Sequence, residues 1–584
     1  MSETKRKRQT FLEGTFVLLV ATAIAKVISA VYRIPLTNLL SSRGMGYYAT
    51  AYDLYVPIYT IALAGLPVAI SRLVAEKAAV GRYKDVKKIL NVSFKVFLVT
   101  GSVGFIIMFG LAFLFTGDYG ITVFGKEISL HFFNKGVLPG IIAVSPSLVF
   151  CCIMSAYRGY FEGMGDMTPT GVSEVIEAFG KLAFGLSFAY ITLAKTGSYS
   201  LSAAASLLGI SISSAMGTLY LFLKYKFFSK KTLPKSYIET SPEAESGKRI
   251  LKSLIVIAIP IVLGALVTNV TSLIDVMMVQ KRLTSAIVKH PGYFETTYKA
   301  LIASETAMAA KSGAKFSLTK DLPNALYGCH RGYAFSIFNL IPVLTSSLGV
   351  SAIPVLATAF TKKDKAEIKS NIQTMFRTVS IIAMPCGIGI MAIPKGILSL
   401  LYRDPVSIDI AAPNLRILGI SAILGGISVP LVNMLQAIGK ERVPLINIAI
   451  GAVVKIVFNV ILVGNPYINI KGVPISTGAF YVYICLANFI CLVKYSGVKL
   501  DIVSMLLKPF MAALVCGFSA VVSEKLLAYT ALPLKLQTLV SIAVAGVMYL
   551  LAIAVFKVIN KEDVMTLPKG EKVYGALKKL KIVK

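Results

Sequence analysis

The stretch KVISAVYRIPLTNLLSSRGMGYYATAYDLYVPIYTIALAGLPVAISRLVAE, Lys26 to Glu76, sets three charges inside sequence otherwise apolar enough to enter a bilayer. Lys26 and Arg33 are seven apart and share one helix face. Asp53 opens the next apolar segment, after a short glycine-containing turn expected at Ser41–Tyr47. Charge at bilayer depth is costly unless it meets water or a partner, so the pattern points to an internal polar cavity. The competing reading is that Arg33 snorkels to the outer interface and Asp53 pairs with it there.

The rest of the chain is of the same kind, with 56% hydrophobic and 15% charged residues over 584 positions and a mean hydropathy of +0.74. Apolar runs of about twenty residues recur, each long enough to cross a bilayer. The fold class is therefore an all-α polytopic membrane protein. A net charge of +32 would suggest nucleic acid in a soluble chain. Here the lysines and arginines collect in loops on one side, where they orient the protein and meet anionic lipid, so no nucleic-acid partner is expected. Tryptophan is absent, and 27 tyrosines serve the interfaces instead. The seven cysteines sit mostly in apolar segments as packing residues, and with three histidines no metal-ligand spacing arises. The N-terminal MSETKRKRQ before an apolar run resembles a signal peptide, but the run is long and carries Lys26, so it reads as an uncleaved first helix.

Fourteen spanning segments are expected, near 11–38, 48–71, 91–116, 136–158, 169–194, 201–223, 252–279, 326–360, 371–402, 411–437, 443–464, 472–496, 503–527 and 533–558. With that count every basic loop falls on one side, which makes both termini cytoplasmic. The chain also repeats itself. GMGDMTP is followed by Lys181 and AIGKERVP by Lys455, and Gly165 to Lys181 and Gly439 to Lys455 are both sixteen apart. Two pseudo-symmetric six-helix lobes follow, facing a central cavity, with two further C-terminal helices outside the repeat. The expected domains are an N-terminal lobe at 1–230, a linker at 231–250, a C-terminal lobe at 251–496 with an outer insertion at 281–322, helices thirteen and fourteen at 497–560, and a basic tail at 561–584.

Other charges interrupt the spans. Glu174, Glu177 and Lys181 share a face of the fifth helix, and Asp275 stands alone in NVTSLIDVMMV. Arg331 opens the eighth helix, Arg416 lies in the tenth at the interface, and Lys455 and Asn459 are one turn apart in the eleventh. Six cations against four anions give a positive bias, which suits an anionic substrate. Lys181 and Lys455 are equally readable as structural lysines neutralising Glu174, Glu177 or Asp275, and Asp275 as a proton or cation-coupling site or a salt-bridge partner. Proline and glycine breaks within the spans permit bending, or are static kinks. Nucleotide-binding, HExxH and GxSxG signatures are absent, so no enzyme activity and no cofactor is expected. Coupling to membrane potential, H+ or Na+ stays open.

YRIPLTNLLSSRGMGYYATAYDLYVPIYTIALAGLPVAISRLVAEKAAVGRYKDV and LYGCHRGYAFSIFNLIPVLTSSLGVSAIPVLATAF resemble the polysaccharide-exporter branch of the multidrug/oligosaccharidyl-lipid/polysaccharide (MOP) flippase superfamily. The likeness is to the Firmicutes group that holds the MviN-type lipid II flippases and stage V sporulation protein B. The resemblance implies alternating-access transport of undecaprenyl-pyrophosphate-linked peptidoglycan precursor across the cytoplasmic membrane of a Gram-positive bacterium. It also implies a substrate cavity of Lys26, Arg33, Asp53, Lys181, Arg331 and Lys455, with Arg33 and Arg331 on the pyrophosphate. Glu174, Glu177, Asp275 and Asn459 would form an ion-coupling or salt-bridge network, and helices thirteen and fourteen would hold the lipid tail. Asp53 stands where such flippases carry a basic residue, which puts the pyrophosphate geometry or the lipid's identity in doubt. A lipid-linked anionic glycan, anionic lipids and cell-wall synthesis proteins are the implied partners. The alternatives are a flippase for another wall, capsule or spore-cortex glycan, a small-molecule exporter, or a non-transporting scaffold.

Overall fold

The computed structural model describes residues 11–63, 65–117, 120–123, 126–129, 133–232, 241–311 and 313–559. The basic residues before Phe11, part of the linker and the tail 561–584 lie outside them. By contacts the chain forms two compact units, one of residues 1–281 and 304–325, the other of 282–303 and 326–584. The lobe boundary expected at 231–250 follows the sequence repeat; the contact boundary falls later, within the seventh long helix.

The first unit runs α1 (Phe11–Leu63), α2 (Leu66–Ala79), α3 (Tyr83–Thr116), α4 (Leu138–Val144), α5 (Ser147–Gly163), α6 (Thr168–Thr196), α7 (Tyr199–Thr232) and most of α8 (Gly247–Lys289). A small antiparallel hairpin, Gly120–Val123 with Lys126–Ser129, follows α3. The second unit takes α9 (Pro291–Thr297) and the start of α10 (Lys299–Lys311), then the end of α11 (Leu318–Gly328), a π-helical turn at Cys329–Ala334 and α12 (Phe335–Phe338). It continues through α13 (Leu340–Thr361), α14 (Lys365–Ala392), α15 (Pro394–Leu401), α16 (Pro405–Ala437), α17 (Arg442–Val463), α18 (Gly472–Ser496), α19 (Lys508–Leu527) and α20 (Leu534–Val555). Among the described residues eleven segments are long and apolar enough to cross a membrane, and one of these covers Val20–Ala79, about three times the length one crossing needs. The segments expected at 252–279 and 326–360 lie outside that set, in α8 and α11–α13, so about fourteen crossings are consistent with the architecture.

The turn expected at Ser41–Tyr47 is a correction. The helix breaks only at Ser41 (φ 54°, ψ −168°) and resumes at once. Gly46 answers a close approach instead, because a Cβ there would collide with the backbone and side chain of Asn324. Of the prolines expected to interrupt spans, Pro67 and Pro394 begin helices and Pro146 precedes α5, whereas Pro57, Pro385 and Pro430 are carried inside continuing helices. The repeat noted in the sequence reappears in the backbone. Gly165 and Gly439 have φ of 78° and 73°, with nothing within 4 Å of where a Cβ would stand, so left-handed conformation rather than space requires glycine at both corners.

Packing follows membrane rules. In α3, Phe97, Gly101, Gly104, Met108 and Ala112 are buried while Val99, Val103 and Ile106 point outward on the opposite stripe. In water that stripe would be a liability. In lipid it costs nothing, and cohesion has to come from close fit between small residues. α6 and α7 cross with Gly209 against the backbone of Gly185, and α14 and α16 cross with Gly387 and Gly419 each facing the other's carbonyl. α19 and α20 pack on each other, and the Tyr549 hydroxyl donates to the Ile381 carbonyl of α14 at 2.6 Å.

Candidate functional site

In the first unit the second half of α1 carries Tyr48, Tyr52, Tyr55 and Tyr59 at spacings of four, three and four, a heptad-like stripe. Successive rings lie 5.8, 6.0 and 5.5 Å apart. The Lys181 ammonium of α6 sits 5.1 Å from the Tyr52 ring centroid and 5.3 Å from that of Tyr32, whose hydroxyl shares a 2.5 Å hydrogen bond with Ser206 of α7. The ring faces supply part of what water would otherwise give the cation. Arg33, half buried, acts electrostatically on Lys181, Tyr32 and Tyr48. Lys26 is exposed on α1.

Glu177 has a different cation from the one its helix offers. Arg158 of α5 reaches Glu177 Oε2 at 3.2 Å and donates through Nε to Ser173 Oγ at 2.8 Å. Arg158 was not among the expected site residues, although a charge inside CCIMSAYRGYFEG was a signal for it. Glu174 accepts from Thr22 Oγ1 of α1 at 2.7 Å. Asp53 and Asp275 are buried. Both lie in the stretch bracketed by two α8-to-α1 bonds, Gln280 Nε2 to Thr50 Oγ1 at 2.6 Å and Asn269 Nδ2 to Thr60 Oγ1 at 3.1 Å.

At one end of the same unit, Arg43 pairs with Asp321 at 3.3 Å and donates through Nε to the Tyr47 hydroxyl. Asp321 also accepts from Asn134 and from the Ser317 amide, and Glu305 accepts from Ser42 at 2.6 Å. These acids, unread in the sequence, tie residues of the 281–322 segment to α1 beside the Ser41 break. At the other end Glu245 gathers Lys77, Arg82 and Arg249, while its amide donates to Asp85 at 2.7 Å. The Lys77 hydrogen bond, with Arg249 and Arg82 nearby, holds the Glu245 carboxyl below its ordinary value.

In the second unit Arg331 lies in the π-turn, 4% exposed, with its guanidinium 4.0 Å over the Phe335 ring. The wider i→i+5 winding frees carbonyls, and side chains take them up: Ser336 Oγ donates to the Gly332 and Arg331 carbonyls, and the Tyr402 hydroxyl to that of Gly332. Lys455 and Asn459 are buried on α17, and Asn459 accepts from Ser476 of α18 at 2.7 Å. Arg416 is exposed and donates to the Met391 carbonyl. Arg377 is buried in α14. Among the described residues no group of three His, Cys, Asp or Glu side chains could hold a metal ion.

Comparison with known proteins agrees with this picture. A family model described as polysaccharide biosynthesis protein matches residues 11–311, just over half of the 584, and one described as MatE matches 331–461. The chain is 23% identical to stage V sporulation protein B of Bacillus subtilis over 96% of its own length and 98% of the relative's. It is 26% identical to the lipid II flippase MurJ of the same organism over 83% of each chain. Among solved structures, the lipid II flippase MurJ in an inward closed conformation superposes with a TM-score of 0.61 at 14% identity, covering 93% of this chain and 98% of that one. An inward-facing MATE transporter of the MOP superfamily gives 0.60 at 14% identity, covering 82% and 99%. These neighbours are transporters, not enzymes, and the buried charges described above lie in a multi-pass membrane protein of the same fold. The chain belongs to the polysaccharide biosynthesis protein family.

Proposed function

We propose that the chain flips an undecaprenyl-pyrophosphate-linked peptidoglycan precursor, lipid II, from the inner to the outer leaflet by alternating access. The observation that carries this reading is that each unit sets a cation among its apolar helices, Lys181, half buried, against tyrosine rings and Arg331, buried, against Phe335. A pyrophosphate-sugar head group cannot cross about 30 Å of hydrocarbon unaided. Buried ammonium and guanidinium groups lower that barrier while the polyprenyl tail stays in lipid, with α19 and α20 beside it. Asp275, buried, together with Glu174, Glu177 and Asn459, would couple H+ or Na+. Both termini are taken as cytoplasmic. The likeness to a sporulation protein over nearly the whole chain supports a second reading, a flippase for a spore-cortex or other wall glycan precursor.

The test is complementation of a bacterium depleted of its lipid II flippase, with wild type and an Arg33→Ala, Arg331→Ala double variant at matched membrane levels. Rescue by wild type alone supports lipid II transport through a cationic site. No rescue by well-expressed wild type removes lipid II and moves the sporulation substrate forward. Rescue by both keeps the flippase and discards the arginines.

A further inference from the structure

His330 precedes Arg331 in the π-turn and is 0% exposed, and neither ring nitrogen has a hydrogen-bond partner among the described residues. A buried imidazole normally has a partner for at least one nitrogen, and an unmade bond there is destabilising. The turn itself is an uncommon conformation that tends to mark functional positions. The two side chains, His330 and Arg331, share an aromatic neighbour: the His330 ring lies 6.1 Å from that of Phe335, the ring over which the Arg331 guanidinium stacks at 4.0 Å. The charged groups acting on His330 are Arg331 and Lys455, both cations, so the complement of this corner is an anionic or hydroxyl oxygen rather than a proton or metal cation.

We infer that His330 is a further head-group ligand in the second unit, its imidazole bonding a phosphate or hydroxyl oxygen of the lipid-linked substrate beside Arg331. The inference rests on the flippase reading and adds to it a neutral hydrogen-bonding residue that discriminates between head groups. Because His330 is enclosed in this conformation, the bond forms when the transport cycle opens the turn to the cavity.

The experiment labels the full chain in lipid nanodiscs with diethylpyrocarbonate and reads each histidine by mass spectrometry. It is run without ligand, with undecaprenyl pyrophosphate, and with inorganic pyrophosphate. Exposed His290 is the internal control. We expect the lipid to protect His330 and leave His290 unchanged. We also expect His330→Phe to weaken lipid binding about tenfold while His330→Gln, which keeps a donor and an acceptor, stays within about threefold. A His330 that never reacts, or reacts equally with and without the lipid, overturns the inference. So does a His330→Phe protein that binds as wild type does. Protection by inorganic pyrophosphate alone overturns the lipid-linked assignment in favour of a free-anion site. If wild type binds the lipid and His330→Phe binds equally, only this inference falls; if wild type does not bind it, the flippase reading falls too.

Discussion

Arg43 Nη2 and Asp321 Oδ1 meet at 3.3 Å, both buried, just past the Ser41 break in α1. Removing one partner leaves the other charged and enclosed, a cost of roughly 3–5 kcal/mol. Arg43→Ala and Asp321→Asn are each expected to lower the melting temperature in detergent and to make Lys320 an early trypsin site. Arg43→Met with Asp321→Leu should recover most of the loss. Unchanged melting and cleavage in the single variants would sink the assignment.

Lys181 rests on ring faces, not on a carboxylate. Tyr52→Phe keeps the face and should leave flippase complementation close to wild type. Tyr52→Leu removes it and should weaken function by roughly 2- to 30-fold, in line with about 0.5–2 kcal/mol for such a contact. Equal defects in the two variants would assign the hydroxyl, not the ring.

The cation partnering Glu177 is Arg158, one helix away. A double-mutant cycle on thermal unfolding should give a coupling above about 1 kcal/mol for Arg158 with Glu177, and below about 0.5 kcal/mol for Lys181 with Glu177. The reverse order would contradict the geometry.

Glu245 titrates below its ordinary 4.5 because Lys77, with Arg249 and Arg82, stabilises its ionised form. Its folded-state value is the lower one, so its contribution is fully present above that ordinary value and is lost as pH falls through the depressed one. Hydrogen exchange of residues 241–249, corrected for intrinsic rate, should stay slow from pH 7 to about pH 5 and quicken below about pH 4. Lys77→Ala should move the onset upward. A pH-independent protection pattern would remove Glu245 as the clasp.

Much of this fold is legible from the chain because membrane helices are declared by composition over twenty residues at a time, and the repeat by spacing. Gly165 and Gly439 are the clearest case: a left-handed corner is a demand on one residue, so two glycines at the same offset from Lys181 and Lys455 betray it. Side-chain partners are harder. Lys181 stands one turn from Glu177 in sequence, yet its stem turns toward Tyr32 and Tyr52, and only the tertiary position of α5 brings Arg158 in. Glu305 and Asp321 lie in a segment without a continuous apolar span, so nothing local announces that they fasten α1. His330 is visible as a letter, but its enclosure depends on a turn held open by Ser336 and Tyr402.

The paired corners at Gly165 and Gly439 have a practical consequence. Each is an exposed bend with similar φ and clear space around it, so a dye or spin label can be attached beside each without disturbing the packing of its unit. Any change in the spectroscopic distance between them would then report travel of one repeat against the other, which turns the internal repeat into a built-in ruler for the transport cycle.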